Sequence, residues 1–574
     1  ETFAQKIVLT ATGTAENLMV IKKNGSGTNP LITYYTGGSA TTTDANQDGI
    51  FALRGSDYVT IDGIDLIENS SNSGNALMEY GYGLFKMSDA NGAQNNTIKN
   101  CVVTLSTNNF ASGTYPAGIG STGIGIFAST DTTVTTILLG TAVAGGNSNN
   151  KIYSNTIKNC HQGIHVAGAN EVSPYTYADV NNDVGGNSAA TGNTVLNFGG
   201  GSGSNTLSCG IRSAYQYDFN VSYNTINNND GSGVNHTSTL RGILVAIANE
   251  ANSTINNNTV TLKVGATSAQ AAAIETGAGT AGTANKTVIQ NNTIKNCELS
   301  STSTGGFLGV FSAGGPAKLF MQNNKLVNTT MNATSGTFYG FYNQGGVTDS
   351  LQMVNNTLDS LTYTANTSSA SYINWNTNGA GATSAALKLN MDSNTVKNMF
   401  YTGTTGGTGL IYNVYNTDTA LKSSFSNNIL ENLNVNNSGT IYFIFNTAGS
   451  VANGERVYDN NAIMGSFTRS KAGGTFYGIS ETGTQLSSNS STISNNDFSN
   501  IKIDTTGSSI FYGINTTGGV TPFAYKKIFN NKITSVINGN STFYGIYVSA
   551  FGGVDTSVIY NNRVEKVKTR STLY

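Results

Sequence analysis

The sequence predicts an all-β chain wound as a right-handed parallel β-helix solenoid, about 34 residues per coil, with an asparagine ladder along one corner. Two observations carry this. The first is a recurring Asn-Xaa-(Ile/Val/Leu)-Xaa-Asn segment, complete at Asn292-Thr293-Ile294-Lys295-Asn296 and relaxed at its last Asn in several copies. Its leading residue is Asn96, Asn155, Asn193, Asn224, Asn258, Asn292, Asn324, Asn356, Asn394, Asn428, Asn461, Asn496, Asn531 and Asn562; the first interval is 59 and the others run from 31 to 38. The second is an aromatic signature half a period later, at Phe338-Tyr339-Gly340-Phe341, Phe476-Tyr477-Gly478-Ile479, Phe511-Tyr512-Gly513-Ile514 and Phe543-Tyr544-Gly545-Ile546. Such a period also suits helical hairpins, but each copy alternates apolar and polar residues, is β-branched, and is flanked by Asn, Gly, Ser and Thr. Almost nothing in the chain has a helical period.

Each part of the repeat has a physical role. Stacked at one corner, every Asn amide donates to one neighbour, accepts from the other, and satisfies turn backbone groups. The apolar residue two positions on points inward, because strand side chains alternate faces. About 16 or 17 coils at a rise of about 4.8 Å make a rod on the order of 75 Å long.

One continuous solenoid is expected, in three stretches. Residues 1–95 are opening coils, with strand-like runs Lys6–Leu9, Leu31–Tyr35 and Tyr58–Ile61. Residues 96–223 are coils with long excursions at about 106–150 and 167–192, and 224–574 are regular coils. Loops on a rigid solenoid are the default place for function. Glu1 stands where a Met would begin a full chain, which predicts a processed chain or a fragment. The coil opened at Asn561-Asn562-Arg563-Val564 runs to Tyr574 without a polar capping segment, which predicts a longer parent or a partner over that end.

Composition narrows the function classes. Only 10% of the 574 residues are charged and the formal net charge is −2, which argues against nucleic acid and anionic membrane surfaces as partners. No apolar run is long enough to span a bilayer.

Several opening segments resemble a known family. Gly27-Thr28-Asn29-Pro30-Leu31-Ile32-Thr33, Gln47-Asp48-Gly49-Ile50, Asp57-Tyr58-Val59-Thr60-Ile61-Asp62-Gly63 and Met78-Glu79-Tyr80-Gly81 look like the amino-terminal part of large secreted right-handed β-helix proteins of Bacteroidota, commonly exported by type IX secretion. Beyond about residue 110 the repeat resembles pectate-lyase-like β-helices in general. The resemblance implies fold and an extracellular or cell-surface location, not one activity. The sorting domain such proteins carry at their carboxy terminus is not visible. Asp-(Ser/Thr) triplets resemble the O-glycosylation signal of the same bacteria and mark Thr132, Ser350, Ser360, Thr419 and Thr505.

Candidate site residues are few. His161 and His165 share strand parity and, with Glu171, are the acid–base or metal candidates, against the plainer reading of solvated or hydrogen-bonded histidines. Arg212, Arg241 and Lys263 would form a basic track if aligned. Asn416-Thr417-Asp418 matches one hydrolase tripeptide without its companions and reads as a turn. Asp44, Asn46 and Asp48, before Gly49, have the first half of a calcium loop; its twelfth position is Gly55, so Asp57 or another coil must complete it. Asp179, Asn181 and Asp183 repeat that spacing more weakly. Cys101, Cys160 and Cys297 each lie five residues after a repeat Asn, where Phe198, Leu361 and Met399 stand in other coils, so cysteine acts there as a small buried hydrophobe. A Cys101–Cys160 disulfide stays open if their coils adjoin. If Ile of the aromatic signature faces the core, Phe476, Phe511 and Phe543 form an outward ladder for sugars or proteins; the other parity turns them inward.

The leading expectation is a non-enzymatic structural or adhesive rod, displayed at a surface or assembling end to end, with itself or surface glycans as partners. The alternatives are a polysaccharide lyase or glycoside hydrolase working in a groove, and a calcium-dependent glycan-binding module.

Overall fold

The computed structural model describes residues 5–34, 36–38, 46–110, 115–116, 119–200, 207–231, 233–265, 267–333, 335–364, 371–379, 385–402, 407–486, 488–503, 507–518, 524–540, 542–549 and 557–569. It comprises two compact units, Glu1–Val288 and Ile289–Tyr574. Each is a parallel β-solenoid of the right-handed type, and the described residues hold only two single-turn 3₁₀ helices.

In the first unit every full coil contributes a strand to each of three faces, and each of these strands pairs in parallel with its counterpart one coil on. The first face runs Ile7–Leu9, Gly49–Arg54, Tyr80–Phe85, Thr122–Phe127, Gln162–Ala167, Ser208–Ala214, Leu240–Val245 and Ala271–Thr276. The second face runs from Met19–Lys22 to Ser253–Asn256, and the third from Leu31–Thr33 to Thr259–Thr261. The second unit repeats the plan. Its first face runs from Phe307–Ser312 to Phe543–Val548, its second from Lys318–Gln322 to Val558–Tyr560, and its third from Thr293–Lys295 to Arg563–Lys568.

The three asparagines of a repeat hold different positions. Asn291 and Asn296 both have positive φ (54° and 55°), as do Asn323 and Asn328 in the next coil. They turn the corners into and out of the strand, in a conformation Asn tolerates better than most residues. The Asn between them carries the ladder. In the first unit it runs Asn155, Asn193, Asn224, Asn258, and in the second Asn292 through Asn562; each Nδ2 donates to the next Oδ1 at 2.8–3.3 Å. The same Oδ1 takes the preceding ladder residue's backbone N–H, so the turn leaves no orphan donor.

Asn96 does not belong to that ladder. It opens a second-face strand, Thr97–Lys99, whereas Asn155 opens a third-face strand, Thr156–Lys158. Asn96 instead heads another column, through Asn150 and Asn182 to Gln216. Both corners are written Asn-Thr-Ile-Lys-Asn, so the text alone does not separate them. Cys101 holds the place above Asn155, its N–H on that Oδ1 at 3.1 Å. Cys101 is therefore five residues out of register with Cys160, and no disulfide joins them. All four cysteines are buried thiols outside any disulfide.

The aromatic signature lies on the first face of the second unit. Phe476, Phe511 and Phe543 are fully buried and stack at 5.2 and 4.9 Å, so they are not an exposed ladder. The parity count breaks at the glycine: Phe476, Gly478 and Ile479 are all buried. A Cβ on Gly478 would sit 2.4 Å from the Gly513 carbonyl oxygen and 2.8 Å from the Phe498 ring. The half-buried tyrosines form the outer column instead: Tyr412, Tyr442, Tyr477, Tyr512 and Tyr544 stack at 4.5–5.1 Å with planes within 9°.

Candidate functional site

The first face of the first unit carries a roofed pocket of about 390 Å³. Its floor follows from strand register. Gly83, Gly125, His165, Arg212 and Leu244 succeed one another across five coils. Phe85, Phe127, Ala167 and Ala214 form a parallel row two residues on. Large side chains in the upper coils give way to Ala167 and Ala214, and the pocket opens there.

The excursion between 106 and 150 builds the roof. It is not one loop: the first-face strand Thr122–Phe127 divides it. Ile119 and Val134, on either side of that strand, pack with Ala52, Tyr80, Phe85, Phe127 and Ala167. Asp131, fully buried, accepts both Lys6 and Arg54, which pins the loop to the opening strands. Burial alone would raise the Asp131 carboxyl, but Arg54 and Lys6 hold it below its ordinary value. Tyr115, Pro116, Ile137 and Leu139 overhang the pocket from these segments, while Asn170 and Tyr215 close the lower rim.

Two polar side chains meet at the floor. The His165 ring stands edge-on to Phe127 at 5.6 Å and to Tyr115 at 6.1 Å. Burial, then repulsion from Arg212, holds His165 neutral, well below the ordinary imidazole value. Arg212 follows His165 in register, and burial lowers its affinity for the proton as well. Its Nε is sealed from solvent without a hydrogen-bond partner. Among the described residues no Asp or Glu lines the pocket.

The other candidates fall elsewhere. His161 precedes the strand and packs on Phe110 and His236, its Nε2 3.2 Å from the Leu207 carbonyl. Burial, with His236 nearby, pushes it down to about 3. The two histidines therefore share no groove. Glu171 accepts the Gly140 N–H and stays outside the pocket lining. Arg241 is paired with Glu275, and Lys263 is exposed on the third face, so there is no basic track. Asp418 accepts the Thr377 hydroxyl and the Gly379 N–H, and Asn416 donates to Asn446, which makes Asn416-Thr417-Asp418 a corner.

Of the calcium residues, Asp44 lies outside the described residues; Asn46 is exposed and Asp48 accepts the Gly38 N–H. Asp179 and Asp183 accept hydrogen bonds from Asn147 and from Tyr153, Gly186 and Asn220. Among the described residues no three His, Cys, Asp or Glu side chains group to hold a metal. Thr132 is exposed, Ser350, Ser360 and Thr419 are half-buried, and Thr505 lies outside the described residues.

Sequence reading named His165 and Arg212 but missed Tyr115, Leu139, Asn170 and Tyr215. The only signal for the first three was the length of the excursions; Tyr215, directly after the strand Ser208–Ala214, carried none.

No family model matches the sequence, and no curated protein matches it. Solved structures that it resembles include a selenomethionine derivative of the GH136 lacto-N-biosidase from Eubacterium ramulus: TM-score 0.29, 11% identity, 82% of this chain covered and 57% of that one. The chain thus spans just over half the length of that enzyme. A PL6 family alginate lyase, AlyGC, aligns as a mutant with TM-score 0.25, 10% identity and coverages of 99% and 96%. The unmutated form aligns with TM-score 0.23, 9% identity and coverages of 100% and 96%. Likenesses this low carry no inference about chemistry. No helix among the described residues is long and apolar enough to cross a membrane.

Proposed function

We propose that this β-solenoid binds a saccharide in the roofed pocket of its first unit, and that it does so outside the cell, as a secreted or surface-displayed bacterial protein. One observation supports the reading most. A concave site of about 390 Å³ has aromatic and apolar walls and a few convergent polar groups, Arg212, His165 and Asn170. That combination suits a small polyhydroxylated ligand better than a smooth structural rod requires. Tyr115 and Tyr215 offer ring surface to a sugar, and Asn170 offers an amide.

The test is calorimetric titration of the whole chain with neutral and acidic oligosaccharides, beside Tyr215→Ala. Binding that weakens in the variant supports the reading. No binding to any saccharide, together with rods joined end to end in electron micrographs, would replace it with the structural and self-assembling role.

Cleavage is a second reading, favoured by the adjacency of His165 and Arg212: a substrate carboxylate on Arg212 would offset the repulsion that depresses His165, and the neutral imidazole beside it would then take the neighbouring proton as the base of a lyase. New unsaturated or reducing ends released from a bound polymer, and lost in His165→Gln, would support it. Calcium at Asp44, Asn46 and Asp48 is a separate proposal, tested by whether a chelator lowers the melting temperature or saccharide affinity. Type IX export and O-glycosylation are proposals too, tested by intact mass of the native protein.

A further inference from the structure

We propose that Arg212 is the anchor of an anion subsite, so that the saccharide taken by this pocket carries a carboxylate, as a uronate does. The inference rests on the saccharide reading and adds the charge of the ligand.

The starting point is how this chain treats its other cations that are buried or, like Arg212, half-buried. Lys6 and Arg54 share Asp131. Arg241 is paired with Glu275. Arg456 and Lys526 share Glu481 at 3.4 and 3.1 Å. Lys86 donates to the Leu138 carbonyl, and Arg469 to the carbonyls of Asn437 and Gly439. Arg212 breaks the pattern. Among the described residues it has no ion pair and its Nε has no hydrogen bond.

An unpaired cation in an apolar pocket is costly, and most ionisable groups escape by changing protonation state. Arginine does not, because its guanidinium keeps its proton at any physiological pH. Besides water at the pocket mouth, the route open to it is an anion from outside. The planar fork fits a carboxylate through two parallel hydrogen bonds. Among the described residues that line the pocket none is acidic, so none there competes for Arg212. His165, held neutral beside it, presents a ring that accepts a ligand hydroxyl or donates to the same anion. Tyr115 and Tyr215 supply the surface that distinguishes a sugar acid from a bare ion.

The test compares galacturonate oligomers with the matching neutral galactose oligomers on the full chain, with sodium acetate and inorganic phosphate as free-anion probes. The acidic oligomer is expected to bind more tightly than the neutral one. Arg212→Gln is expected to weaken the acidic oligomer about 10- to 100-fold, the range for losing hydrogen bonds to a charged group, and to weaken the neutral one clearly less; an equal loss for both overturns the carboxylate assignment. Arg212→Lys is expected to fall between. The Arg212→Gln melting temperature is expected to hold or rise, because no partner is stranded; a sharp fall would show that Arg212 is paired structurally, and overturns the proposal. If the variants do not fold, salt dependence of the wild-type chain decides. Affinity for the acidic oligomer that falls with added salt, beside a flat neutral response, supports the subsite.

Equal affinity for both oligomers overturns the carboxylate assignment while leaving the saccharide reading in place. Acetate or phosphate binding with no saccharide bound overturns the saccharide reading and, with it, this form of the proposal. No binding of any probe overturns both.

Discussion

At the scale of single residues, one amide does several jobs. Asn428 accepts from the Asn394 backbone and side chain through one oxygen, and donates to Met391 and Asn461 through one nitrogen. Asn428→Leu keeps the volume and removes all four. It is expected to destabilise the chain by about 1–3 kcal/mol for each group left buried and unpaired, read from denaturant midpoints. Glu79 tests the opposite situation. Burial, reinforced by Asp48 and Glu68, pushes its carboxyl up to about 8, although the Asn109 amide and the Asp48 N–H oppose the shift. The folded chain therefore holds a proton that the unfolded chain releases at an ordinary carboxylate pH. The stability this contributes is complete below about 4.5 and is lost as pH rises towards about 8. The melting temperature should fall between pH 5 and 8, and Glu79→Gln should flatten that slope. An equally steep slope in the variant would assign the effect to another group.

At the scale of elements, a stack of identical strands repeats its inner and outer columns. Phe511 lies between Phe476 and Phe543 in the core, and Tyr512 between Tyr477 and Tyr544 on the outer surface. Phe511→Ala is expected to cost about 3–5 kcal/mol through the cavity it leaves. Tyr512→Ala should cost clearly less, because half-exposed rings lose less burial; equal costs would mean that the outer column is itself covered. The same coils hold a buried ionic group. Glu481 meets Arg456 and Lys526 across strands of the first and second faces. Although burial would raise its carboxyl, Lys526 and Arg456 hold it below the ordinary value, so its contribution is present above that value and is lost as pH falls. Glu481→Ala leaves two buried cations unpaired and should cost about 3–5 kcal/mol, visible as a lower midpoint at pH 7.

At the scale of the whole chain, the four thiols report on both units. Cys101, Cys160 and Cys209 lie in the first and Cys297 in the second, all buried and none in a disulfide. Burial raises the Cys101 thiol and pushes Cys160 and Cys209 up to about 12, so little thiolate forms at neutral pH. Native protein should resist alkylation and denatured protein should label four times by mass; rapid native labelling would show that a coil opens. The repeat itself was legible because each coil must meet the same demands, a positive-φ corner, a paired amide and an inward apolar residue, and few residue types meet them. Asn155 and its successors could be placed from spacing for that reason. Asn96 could not, since two different corners with the same demands recruit the same five letters.

What the amino-acid order determined by itself was the coil: its period, its strands and the amides that bind one turn to the next. These depend on local backbone conformation and nearest-neighbour pairing, which recur in sequence as they do in space. Only the tertiary structure decided which side of the first face is buried, because the alternation breaks at Gly478 and a parity count does not register it. Only it brought Tyr115, from one excursion, over His165 and Arg212 from two later coils. Strand register places side chains from successive coils beside one another, whatever their distance along the chain, and a lone arginine becomes notable only when its surroundings hold no acid.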